Sequence, residues 1–276
     1  MSADRRRLPF DGTTALSSLR DQVAAEQFTD GEDASVGAPI APLWRTQTGG
    51  LDKDLIYGEP LTIIVRGPKT SFVQSGIDGY CGFTPSSALA QPIKATHRVT
   101  ARSTHLYPAP DFKAAPRDSL SCGSLVLVGG ISGAFAEILG GWLPLQHLSA
   151  LDMPAKDPVA IAESFLGTPY LWGGNSGWGI DCSGLVQIAH LVCGLRCPRD
   201  SDMQEAEFGT RLPDGAAPQR GDLVFWKGHV GMMRDADTLL HANAHHMTVA
   251  SEPLATAIAR IAANEFGAAT AFKRLA

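Results

Sequence analysis

The stretch Gly179 Ile180 Asp181 Cys182 Ser183 Gly184 Leu185 Val186 Gln187 Ile188 Ala189 His190 Leu191 Val192 decides how the C-terminal half of this 276-residue chain is read. Leu185, Ile188, Ala189 and Val192 share one face at helical spacing. Asp181 stands where a helix start wants a side-chain acceptor for its unpaired N–H groups. Cys182 therefore falls in the first turn of a helix. The positive end of a helix favours the thiolate, the nucleophilic form of cysteine, and so predicts a lowered thiol pKa. The plainer alternative is a small buried residue that opens a core helix.

Working outward, Asp157 Pro158 followed by Val159 to Leu166 reads as a capped helix with Pro at its first position, stopped by Gly167. A turn-rich loop, Tyr170 to Asn175, links it to the Cys182 helix. Downstream, Arg220 to Trp226, Gly228 to Met233 and Thr238 to Asn243 read as short strands, and the last two carry His229 and His241. Imidazole exchanges protons near neutral pH without a large pKa shift. A cysteine on a helix followed by two histidines on neighbouring strands supplies, in the order used by papain-like folds, a thiolate, a base and an orienting group.

The first half has no helical period. Between about residues 35 and 150, runs such as Leu61 to Val65, Phe72 Val73, Tyr80 to Thr84, Val99 to Ala101, Leu125 to Val128, Ala134 to Leu139 and Trp142 to Leu145 alternate with turns. A weak repeat of about 60 to 65 residues links Gly58 Glu59 Pro60 Leu61 with Gly123 Ser124 Leu125 Val126, and Gly82 Phe83 Thr84 Pro85 with Gly141 Trp142 Leu143 Pro144. Two small β-barrels in tandem are expected, and the pattern resembles the bacterial Src-homology-3-like domains. The spacing of Leu16, Leu19, Val23 and Phe28 predicts a short amphipathic segment before them, an arm or packing helix. The fold class expected is α+β, with an arm over residues 1–34, barrels over 35–92 and 93–152, and a catalytic domain over 153–276.

Charge and cysteine content narrow the partners. Net charge is −5, which removes the large basic surface that phosphate-backbone binding needs, so no nucleic-acid partner is expected. No strongly apolar run is long enough to span a bilayer, so no membrane partner is expected either. Arg5 Arg6 Arg7 is followed by Leu8 Pro9 Phe10 Asp11 Gly12 and not by an apolar signal core, which gives a cytoplasmic expectation. Five cysteines at irregular spacing fit free thiols and not a disulfide framework. Cys193 and Cys197 lack a second pair at zinc spacing, so no metal and no cofactor is expected.

Tyr170 to Asn175, Asp181 to Gln187, Arg199 Asp200 Ser201 with Gln204, Gly221 to Phe225, His229 Val230 Gly231 and Leu240 His241 Ala242 resemble, in order, the motifs of the NlpC family of papain-like cell-wall cysteine peptidases. The resemblance covers about residues 154–250. It implies Cys182 as nucleophile, His229 as general base and then acid, His241 as the group orienting His229, and Tyr170 as an oxyanion donor, with a packed structural tyrosine as the alternative. It implies hydrolysis of the bond between D-γ-glutamate and a diamino acid, meso-diaminopimelate or lysine, in peptidoglycan stem peptides with a free N-terminal L-Ala. Asp181 matches the carboxylate for that amine, with Glu59 and Tyr80 as candidates from the first barrel. Ser183 and Ser201 match hydroxyls that hold the glutamate α-carboxylate, and Trp172 walls the pocket. The expected role is cell-wall recycling. The alternatives are an exported lytic hydrolase, or a non-catalytic wall-binding protein, whose mark would be loss of Cys182 or His229.

Overall fold

A computed structural model describes residues 4–275 and divides the chain into two compact units, residues 1–151 and 152–276. In the first unit a seven-stranded antiparallel sheet runs in the order Gly49–Ile56, Ile40–Thr46, Cys81–Pro85, Thr70–Ser75, Pro60–Val65, Glu32–Val36 and Leu89–Ala90. Its inner face is an apolar cluster that includes Val36, Leu43, Leu55, Leu61, Val73 and Tyr80. Smaller sheets built from strands between His97 and Ala150 surround a second cluster of Val99, Leu120, Val126, Ile138 and Leu143. Ile40–Thr46 buries alternate residues, Ala41 and Leu43, whereas Asp52 to Ile56 on the neighbouring strand are buried consecutively.

The N-terminal segment departs from expectation. Thr14–Leu16 and Gln27–Thr29 pair as parallel strands, with a single 3₁₀ turn at Ser17–Leu19 between them, and no α-helix forms. The apolar spacing of three to five residues was too uneven to define a helical face, and Asp21 takes a left-handed conformation, φ +67°, that ends any helix there. The strand Glu32–Val36 also begins inside the segment read as an arm.

The second unit is labelled here in chain order: α1 (Pro158–Glu163), α2 (Cys182–Val192), α3 (Ser201–Glu207), β1 (Thr210–Arg211), β2 (Leu223–Trp226), β3 (His229–Met233), β4 (Thr238–Asn243), β5 (Thr248–Pro253), α4 (Leu254–Asn264) and β6 (Ala271–Arg274). The strands form one antiparallel sheet in the order β1-β6-β2-β3-β4-β5. Asp157 caps α1 through the Val159 and Ala160 N–H groups, with Pro158 at its first position. Helix α2 packs on β3 and β4. Its Leu185, Val186, Ile188 and Val192 are buried, and each such side chain contributes about 1.5–3 kcal/mol. Helix α4 covers β2 and β4 with Ala257 and Ile261 beside Val224, Trp226 and Leu239. Among the described residues no helix is long and apolar enough to cross a membrane.

Candidate active site

Cys182 is the first residue of α2. Asp181 caps the helix by accepting the Gly184 N–H at 2.7 Å, so the thiol is fixed at the helix start. Gly184 is required there: a Cβ would lie 2.6 Å from the Gly174 carbonyl oxygen, closer than the 170–175 loop allows. The Cys182 sulfur receives backbone N–H groups from Ser183 and from Val230, the residue after His229 on β3. Strand β3 follows β2 through the two-residue turn Lys227–Gly228, with Gly228 at φ +90° and Trp226 paired opposite His229. His229 Nε2 lies 2.8 Å from His241 Nδ1 on β4, and both rings are buried. Phe266 stacks on His229 with ring centroids 5.4 Å apart.

The electrostatics correct one expectation. The helix terminus was expected to lower the Cys182 pKa, yet burial and the neighbouring Asp181 carboxylate push the thiol up to about 12, against the N–H groups and Arg199. Burial likewise pushes His229 down to about 3, with His241 and Arg260 adding to it. Burial thus favours the neutral thiol of Cys182 and the neutral imidazole of His229. The Tyr170 hydroxyl is raised above its usual range by burial, with Cys182 and Asp181 adding to the shift.

Arg199 was part of a recognised motif, but its contact was not foreseen. Its guanidinium is buried and pairs with both Asp181 oxygens, at 2.9 and 2.8 Å, and also donates to the Ser183 hydroxyl at 2.8 Å. Asp181 further accepts from Gly173 N–H at 2.9 Å and from the Ser183 hydroxyl at 3.3 Å. Its lone pairs are filled. Asp181 is therefore not the open carboxylate expected for a substrate amine; an ammonium meets an ion pair that is already neutral. The Ser183 hydroxyl is spent in the same network, whereas the Ser201 hydroxyl, at the start of α3, makes no hydrogen bond among the described residues. Trp172 is 67% exposed and leaves its indole face open.

Glu59 and Tyr80 lie in the first unit. Glu59 is buried and its carboxylate accepts from Lys53 at 3.0 Å, from Ser75 at 2.5 Å and from the Ile56 N–H at 3.4 Å. Lys53 also bonds Asp78 at 2.8 Å. Glu59 already holds an ammonium, that of Lys53, which corrects its expected part as a free acceptor. Tyr80, the other first-barrel candidate for the amine, is buried in the apolar cluster of that sheet.

Glu252 and Arg260 were not singled out from sequence. Glu252 on β5 accepts from His241 Nε2 at 2.9 Å, and Arg260 on α4 binds the same oxygen at 2.5 Å. The signal available was register: His241 faces Ala250, so Glu252, two residues further on, lies on the same face of the sheet. His246 brings a third potential ligand atom within 4.8 Å of those of His241 and Glu252, but both His241 nitrogens are already engaged.

The chain is similar to known proteins. Residues 167–261 match the family described as NlpC/P60. Over 250 residues the chain is 27% identical to a gamma-D-glutamyl-L-lysine dipeptidyl-peptidase of Bacillus cereus, covering 78% of this chain and 74% of that protein. It is 40% identical over 88 residues to dipeptidyl-peptidase 6 of Lysinibacillus sphaericus, a match that spans only 32% of that relative's length and 32% of this chain. The crystal structure of an NlpC/P60 family protein from Bacillus cereus superposes with a TM-score of 0.74 over 88% of this chain and 99% of that one. At 20% identity this likeness is one of fold.

Proposed function

Because residues 167–261 form a domain of the NlpC/P60 cysteine peptidase family, we infer that the protein is an endopeptidase that cleaves the bond between D-γ-glutamate and a diamino acid in peptidoglycan stem peptides with a free N-terminal L-Ala. The observation that carries this reading is the Cys182 sulfur at the start of α2, held against β3 where His229 is bonded to His241. The 27%-identical gamma-D-glutamyl-L-lysine dipeptidyl-peptidase supports the γ-D-glutamyl specificity.

His241 occupies His229 Nε2, which leaves Nδ1 to serve the thiol. As the Cys182 sulfur attacks the glutamate γ-carbonyl carbon, its proton passes to His229 Nδ1. The oxyanion receives the Tyr170 hydroxyl and the Cys182 N–H. The carbon–nitrogen bond then breaks, and His229 gives its proton to the departing amine of the diamino acid. Water, deprotonated by His229, hydrolyses the thioester and frees the glutamate γ-carboxylate. Ser201 offers the open hydroxyl for the glutamate α-carboxylate, and Trp172 an apolar wall. A requirement for a free alanine amine confines the reaction to released peptides, which suits cell-wall recycling.

The test is product analysis by mass spectrometry with L-Ala-γ-D-Glu-L-Lys, its diaminopimelate counterpart and the N-acetylated forms of both. Wild type is expected to release the diamino acid from the free-amine peptides, and Cys182→Ala to release none. Undiminished turnover by Cys182→Ala overturns the assignment, and equal rates on acetylated peptides overturn the free-amine requirement.

A further inference from the structure

The hydrogen-bonded chain behind His229 continues past His241 to an anion. Glu252 lies on β5 and Arg260 eight residues later on α4, so the carboxylate is held between a strand end and the helix that follows it. Arg260 binds both Glu252 and Glu265. Hydrogen bonding from His241, together with Arg260, holds the Glu252 carboxyl down at about 2 despite partial burial.

An ionised carboxylate only accepts hydrogen bonds. Along the 2.9 Å contact the proton must therefore sit on His241 Nε2, which leaves Nδ1 as an acceptor. Along the 2.8 Å contact between the rings, His229 must then donate from Nε2. His229 Nδ1 consequently carries a lone pair. The opposite tautomer of His241 would aim a lone pair at the carboxylate, leaving two buried acceptors face to face. A doubly protonated His241 would donate from Nδ1, and His229 would have to accept at Nε2 and carry its proton on Nδ1, where it cannot act as a base. Burial, the largest influence on His241, disfavours that cation.

We propose that Glu252, held by Arg260, is a positioning residue that fixes the tautomers of both His241 and His229 and so keeps His229 Nδ1 unprotonated toward Cys182. The activity part of this inference rests on the peptidase reading above; the tautomers do not. Glu252 acts through His241, so its effect belongs in kcat and not in KM.

In Glu252→Gln, Arg260 can hold the amide oxygen while the amide NH₂ donates to His241 Nε2, which reverses both tautomers. The expected loss is about 10²- to 10⁴-fold in kcat, with KM within about twofold of wild type. Glu252→Asp should recover at least tenfold of that loss. Long-range proton–nitrogen correlation spectra of protein labelled with ¹⁵N-histidine should show Nε2–H on both His229 and His241 in wild type, and Nδ1–H on His241 in Glu252→Gln. A kcat within about threefold of wild type in folded Glu252→Gln, or Nδ1–H on either ring in wild type, overturns the proposal. Should Glu252→Gln fail to fold, the wild-type spectra alone decide. If the Cys182→Ala variant proves active, the peptidase reading fails while the tautomer result stands or falls by itself.

Discussion

Replacing Arg199 by methionine removes a buried cation that donates to both Asp181 oxygens, to the Ser183 hydroxyl and to the Gly174 carbonyl. Deleting one partner of a buried ion pair costs about 3–5 kcal/mol, because the other charge is left uncompensated. Asp181 retains the N–H groups of Gly173 and Gly184 and the Ser183 hydroxyl, so the low end applies, about 3 kcal/mol. Asp181→Asn leaves Arg199 facing an amide and weakens the cap of α2, which together amount to about 3 kcal/mol, of which the cap is about 1. The double variant buries neither charge. It should therefore be about 2–3 kcal/mol more stable than the sum of the single losses predicts. Urea unfolding followed by circular dichroism and tryptophan fluorescence measures all four corners of the cycle. Additivity within about 0.5 kcal/mol would show that the two side chains do not act as a pair and would refute the reasoning.

The neutral resting state of Cys182 and His229 is open to direct titration. With the thiol pushed up to about 12, alkylation of Cys182 by iodoacetamide should keep rising with pH beyond 9, whereas a plateau between pH 5 and 8 would reveal a thiolate–imidazolium pair and contradict the buried neutral couple. Acid should destabilise the second unit: His229 and His190 are held neutral by burial at about 3 and about 4, below the ordinary histidine value. The unfolded chain takes up their protons first, so the stability they contribute is present above about pH 6.5 and falls as pH drops from there toward 4. Urea midpoints at pH 7 and pH 5 read this, and a midpoint that does not fall at pH 5 counts against it.

The parts of the site legible in the sequence are those set by local rules. A carboxylate just before an apolar helical face marks a helix start, so Asp181 and Cys182 were placed by capping alone. Short strand-like runs, Gly228 to Met233 and Thr238 to Asn243, placed His229 and His241. What escaped is set by contacts distant along the chain. Asp181 alone looks like an open anion; only the fold brings Arg199 onto both of its oxygens. Glu252 and Arg260 carry no local signature, because their meaning comes from the register of β4 against β5 and from the turn into α4. Glu59 resembles a free acceptor until the first sheet sets Lys53 against it. The thiol shift runs opposite to the one a helix terminus alone implies, because desolvation depends on everything packed around the sulfur.

The most direct test of the account is to catch the acyl group on the sulfur. Wild-type protein mixed with L-Ala-γ-D-Glu-L-Lys, quenched in acid within the first turnover and digested, should yield a peptide spanning Cys182 that carries an L-Ala-D-Glu acyl group, with one free lysine released per adduct. Release of lysine with no adduct on Cys182, or an adduct on any other residue, would contradict it.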